Sequence, residues 1–118
     1  MRVGKIILTA VFFAFFFSLY CNNVVFAMSG KEVFSSICIN CHTINGVGGK
    51  TGPNLSNIGA KKSIVWLKDF IKNPDSYFNP GGTVLINGKK YIVMMPPFKN
   101  MLTKAKINSV AGYLESLK

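Results

Sequence analysis

Cys38-Ile39-Asn40-Cys41-His42 is the stretch that decides how this chain is read. Two thiols three positions apart, at the end of a helix, can reach the two vinyl groups on one edge of a porphyrin. Each can add across a vinyl to form a thioether, and the histidine that follows is then set beneath the iron. Cys-x-x-Cys-His is the attachment signature of c-type haem.

Other chemistries use the same residue types and fit less well. A thioredoxin-like dithiol needs a βαβ setting, which the pattern of this sequence lacks. A zinc site needs about four ligands. The chain has a single histidine, and of its three cysteines Cys21 lies in an apolar leader. A plain disulfide between Cys38 and Cys41 would leave His42 without a role.

The leader is read from the start of the chain. Arg2 and Lys5 form a basic beginning, Ile6 to Leu19 is almost unbroken apolar sequence, and Val25-Phe26-Ala27 offers small residues at the two positions a signal peptidase reads. The order predicts a signal peptide over residues 1–27, cut after Ala27, with one domain over 28–118. An uncleaved membrane anchor is the alternative reading. The apolar run is short for a span of about 20 residues, and Cys21-Asn22-Asn23 interrupts its extension. Tyr20 is bulky where a lipoprotein signal wants a small residue before its cysteine. Export also suits the motif, since bacteria attach c-type haem outside the cytoplasm.

Downstream, Ser29-Gly30-Lys31-Glu32 reads as a capping box, and Val33, Phe34 and Ile37 follow at helical spacing, which predicts a helix from about Gly30 to Asn40. Gly46, Gly48, Gly49 and Gly52 predict an irregular loop. Ser63 caps a second helix, roughly Ile64 to Lys72, stopped by Asn73-Pro74. Asp75 to Gly82 reads as irregular. Asn87-Gly88, between Thr83–Ile86 and Lys89–Val93, is a two-residue hairpin signal. Ile107, Val110, Ala111, Leu114 and Leu117 recur every three or four residues, which predicts a last helix from the Thr103 cap to the C-terminus.

Iron bound by one histidine has a second axial position. His42 is the only histidine, so methionine is the next soft donor, and His/Met ligation raises the reduction potential. Met28 sits too near the expected new N-terminus. Met94, Met95 and Met101 remain, with Met95 first, because it lies far along the chain from His42 and Pro96-Pro97 stiffens the loop behind it. Core filling is the commoner use of methionine.

At this point the chain resembles a class I cytochrome c of the bacterial monohaem type. The resemblance covers about Gly30 to Lys118. It rests on Gly30…Phe34, Cys38-Ile39-Asn40-Cys41-His42, Gly52-Pro53-Asn54-Leu55, Met95-Pro96 and Leu102-Thr103…Val110…Tyr113-Leu114. It implies an all-α fold whose first and last helices cross over one covalently bound haem c, here with a small β-hairpin insertion. It further implies that Gly30 and Phe34 meet the face around Tyr113 and Leu114, that the Pro53 carbonyl accepts a hydrogen bond from His42, and that Met95 is the distal ligand. No motif assigns Trp66 or Tyr91, for which core packing is the simpler role.

The formal net charge is +10. Beyond the leader there are only lysines on the basic side, against Glu32, Asp69, Asp75 and Glu115. A field of that sign steers acidic partners such as a reductase or an oxidase, and it also keeps a small protein soluble. Lys50 and Lys99 flank the expected haem face. Scattered lysines on an exported redox protein argue against nucleic acid, and membrane association is expected only if the leader is retained. The expected function is single-electron transfer by a diffusible carrier. The alternative is a haem subunit through which electrons enter a larger redox enzyme. A peroxidase or gas sensor would need an open iron position and acid–base groups that this sequence does not supply.

Overall fold

The computed structural model describes residues 27–118. The expected signal peptide lies outside the described residues, apart from Ala27.

Helix α1 spans Gly30–Ser36 and starts as its capping box dictates. The Ser29 hydroxyl accepts from the Glu32 N–H at 3.3 Å, and the Glu32 carboxylate accepts from the Ser29 N–H at 2.6 Å. The expected continuation to Asn40 is corrected. Ile37 leaves helical geometry at φ −127°, and Cys38–Asn40 form a separate 3₁₀ turn.

The glycine-rich stretch is also corrected. Thr43–Ile44 (β1) and Val47–Gly48 (β2) pair antiparallel around Asn45-Gly46. Asn45 has φ 51° and Gly46 has φ 81°. That pair of positive values is what a two-residue primed turn demands, and Asn and Gly adopt it at least cost.

Helix α2, Ile58–Lys61, is a four-residue element that the sequence did not announce. It has no side-chain cap and is held by a tertiary bond from the Gly59 N–H to the Leu117 carbonyl at 2.8 Å. Helix α3, Ile64–Lys72, has the expected bounds, with the Ser63 hydroxyl accepting from the Trp66 N–H. Pro74–Ser76 forms a second 3₁₀ turn within the stretch expected to be irregular. Strands β3 (Thr83–Ile86) and β4 (Lys89–Ile92) make the expected hairpin, with Asn87 at φ 51° and Gly88 at φ 75°. A third 3₁₀ turn, Phe98–Asn100, precedes α4, Lys104–Glu115, which Thr103 caps. Among the described residues the fold is four α-helices with two small antiparallel sheets: the expected β3–β4 hairpin and, beyond the expected all-α plan, the β1–β2 pair.

The core is the meeting of α1, α3 and α4. Val33 and Phe34 pack with Leu67 and Ile71, with Phe98, and with Ile107, Val110, Ala111 and Leu114. Val110 and Ala111 are wholly shielded from solvent. Gly30 permits the close approach of α1 to α4, because a Cβ there would overlap the Ser109 carbonyl and lie 2.6 Å from Tyr113 Cβ. The Phe34 and Tyr113 rings meet at 5.9 Å. Trp66 stacks on Phe70 at 4.7 Å, and Tyr77 abuts both at 5.4 Å, which ties the segment leading to the β3–β4 hairpin back onto α3.

Candidate functional site

The Cys38–His42 turn is held by its own backbone and by the segment that returns over it. The His42 and Cys41 N–H groups both donate to the Cys38 carbonyl, at 3.0 and 3.2 Å. The Gly49 N–H donates to the Ile39 carbonyl at 2.7 Å, the Gly52 N–H to Cys41 at 2.8 Å, and the Leu55 N–H to Thr43 at 2.8 Å. Residues 49–55 are thus strapped across the turn, and Pro53 arrives beside the imidazole.

His42 Nδ1 lies 2.8 Å from the Pro53 carbonyl oxygen. A carbonyl can only accept, so Nδ1 must carry the proton. Nε2 is then left with a free lone pair, the form in which imidazole binds a metal. Burial holds the His42 pKa below its ordinary value, partly offset by the Pro53 carbonyl. The ring therefore stays neutral and available as a ligand. Gly52 sets the spacing: a Cβ there would lie 2.6 Å from His42 Cε1 and 2.8 Å from Nδ1. In the sequence Gly52 reads only as part of a loop motif, and its role as a floor for the ring is not visible there. Its position directly before Pro53 was the available signal.

Cys38 and Cys41 are both free thiols. Cys38 is half-buried, and burial pushes its thiol up to about 11. Cys41 is exposed. Two free thiols beside a neutral, oriented imidazole suit a thioether-anchored porphyrin with iron on Nε2. They do not suit zinc: among the described residues no group of three or more His, Cys, Asp or Glu side chains could hold a metal. Nor do the described strands form a βαβ unit, since both sheets are antiparallel pairs.

The family model for cytochrome c matches residues 27–118. The chain belongs to the cytochrome c family. It is 30% identical to a cytochrome c of Sesamum indicum, over 52% of this chain and 74% of that protein. It is also 30% identical to a cytochrome c type-1 of Ascaris suum, over 52% and 72%. No solved structure matches the chain. A cytochrome c carries one covalently attached haem c with its iron, and the family transfers electrons.

The three methionines considered for this cytochrome c are placed differently. Met95 is half-buried and packs against the core, whereas Met94 is 68% and Met101 63% exposed. Trp66 is half-buried against the core, as the simpler role required. Tyr91 is half-buried but is not among the residues packed on the core. Lys50 and Lys99 are exposed. A groove of about 410 Å³ lies elsewhere, between Asp75–Asn79 and the root of the β3–β4 hairpin, and none of Cys38, Cys41, His42 or Met95 lines it. Among the described residues no helix is long and apolar enough to cross a membrane.

Proposed function

We propose that this chain is an exported, bacterial-type class I monohaem cytochrome c that passes single electrons between protein partners. Cys38 and Cys41 anchor the haem, His42 is the proximal iron ligand and Met95 the distal one. The observation that carries the reading is the His42–Pro53 hydrogen bond, because it fixes the tautomer and aims Nε2 immediately after two free thiols.

The chemistry the haem supplies when bound is a one-electron ferrous/ferric couple. The protein's part is positional. Pro53 orients the imidazole and raises its basicity as a donor, an outer-sphere effect that tunes a bound metal. Gly52 leaves room for the ring. Met95 contributes a soft thioether, and Pro96-Pro97 reduce the entropy lost in holding it. His42 and Met95 together would hold the iron, which would leave it to exchange electrons without binding a substrate. Lysines around Lys50 and Lys99 favour encounter with acidic surfaces of a reductase and an oxidase. The leader of residues 1–27 supports export to a periplasm or equivalent compartment, where haem attachment proceeds.

The test is spectroscopy on the purified holoprotein and on Met95→Ala. The substitution is expected to change the ferric spectrum and lower the midpoint potential. An unchanged pair would remove Met95 from the iron.

A second reading, a haem subunit through which electrons enter a larger redox enzyme, is favoured by one observation. The outward residues Leu85, Ile92 and Met94 are each at least 60% exposed, which suits a permanent neighbour. Gel filtration of material from the native source separates the two: a carrier elutes alone and a subunit elutes with its enzyme.

A further inference from the structure

From Tyr91 to Pro97, half-buried and exposed residues strictly alternate. Tyr91, Val93, Met95 and Pro97 are half-buried, while Ile92, Met94 and Pro96 are exposed. A period of two is that of extended chain, so Tyr91, Val93 and Met95 share one face. The β3–β4 register sets Val84 opposite Tyr91 and Ile86 opposite Lys89, which adds Val84 and Ile86 to that face. Both are half-buried as well.

Met95 packs against the helical core, but Val84, Ile86, Tyr91 and Val93 do not belong to it. The hairpin therefore carries a sheltered apolar face that continues the line of Met95 beyond the core. At the tip, the Lys89 ammonium sits over the face of the Tyr91 ring, 5.2 Å from its centroid.

We infer that the inner face of the β3–β4 hairpin closes over the haem on its Met95 side, with Val84, Ile86 and Tyr91 excluding water from it. The inference rests on Met95 as distal ligand. An apolar cover disfavours the ferric form, which carries more charge than the ferrous form, so it raises the potential. It also slows small ligands that compete with the thioether for the iron.

The test uses holoprotein carrying Val84→Thr with Ile86→Thr, which keep β-branching; the first keeps volume and the second removes one carbon. Leu85→Thr with Ile92→Thr on the outer face serves as the matched control. Midpoint potential and the rate of imidazole binding to the ferric protein are read. The inner-face pair is expected to lower the potential and speed imidazole binding severalfold, with the outer-face pair unchanged in both. Equal effects from the two pairs, or none from the inner pair, would overturn the inference. Met95→Ala, read alongside, separates the two levels. An unchanged ferric spectrum in that variant removes the ligand assignment, whereas an altered spectrum with a silent inner-face pair removes only the cover.

Discussion

The His42 Nδ1 and the Pro53 carbonyl oxygen are 2.8 Å apart, and Gly52 is what lets them meet. Gly52→Ala should therefore act on the imidazole rather than on the helical core. The added Cβ would press on Cε1 and Nδ1, tilting the ring and lengthening its bond to Pro53. The expected result is a shifted midpoint potential and less haem incorporated, with helical circular dichroism retained. Haem staining and potentiometry of the purified variant check it.

Gly30 makes a second close approach, between α1 and α4, where the neighbouring atoms are the Ser109 backbone and Tyr113 Cβ. Neither can move without shifting a helix. Overpacking of this kind costs about 1–3 kcal/mol. Gly30→Ala should lower the denaturation midpoint of the holoprotein in guanidinium while leaving the iron spectrum of the folded state unchanged.

What could be read without coordinates followed the strength of local signals. Ser29, Ser63 and Thr103 cap as expected because a cap is decided by a few neighbouring residues, and α3 has its expected bounds. Both hairpins turn on Asn-Gly with closely similar positive φ values, yet only the second is legible in the sequence. Its flanks are four residues long and rich in β-branched side chains, whereas Thr43–Ile44 and Val47–Gly48 are two residues each and are masked by glycine. The break at Ile37 and the helix at Ile58–Lys61 were not legible. No Gly or Pro marks the first, and the second is held by the Gly59–Leu117 bond, which depends on a residue nearly sixty positions away. At the site, the cysteines and histidine were plain from spacing, and the Pro53 contact followed from the resemblance. The role of Gly52 was hidden because local sequence does not show which atoms a missing side chain leaves room for.

Glu32 gives the α1 cap a pH dependence. Hydrogen bonds from the Ser29 backbone and hydroxyl hold its carboxyl below the ordinary value of 4.5. A depressed folded-state pKa means that the stabilisation is fully present above the unfolded value and is lost as pH falls through the folded one. Wild type should thus lose more stability than Glu32→Gln between neutral pH and about pH 3. Because Glu32 is exposed, salt should reduce the difference. Thermal midpoints of both proteins across that range test the sign. Removing the cap hydroxyl with Ser29→Ala should cost about 1 kcal/mol at neutral pH.

No acid lies between Asp75 and Glu115, a stretch that includes Lys89, Lys90, Lys99, Lys104 and Lys106. The β3–β4 hairpin and the approach to α4 therefore contribute only positive charge to the surface. Electron exchange with an acidic redox protein should slow steeply as ionic strength rises toward about 0.15 M, where the screening length is about 8 Å. Lys99→Glu should slow it further at low salt and flatten the salt dependence, with the midpoint potential unchanged. Stopped-flow rates across a salt series supply the comparison.

The adjacent pair Met94-Met95 tests the ligand assignment most sharply, because the two side chains are chemically identical and differ only in direction. Extended backbone through β4 and beyond sends Met94 outward, 68% exposed, and Met95 inward against the core. For Met94 to replace Met95 on the iron, the strand would have to slip by one residue. That slip would turn Ile92 inward and expel Tyr91 and Val93, the whole sheltered set at once. It would also shift the paired hydrogen bonds that join Val93 to Gly81 and Gly82 at 2.9 Å. Met95→Ala should therefore not be rescued by its neighbour, and the double substitution Met94→Ala with Met95→Ala should match Met95→Ala alone in ferric spectrum and potential. Met94→Ala and Met101→Ala should each resemble wild type. A double variant that differs clearly from Met95→Ala would mean that Met94 reaches the iron and that the strand is less firmly registered than its pairing indicates.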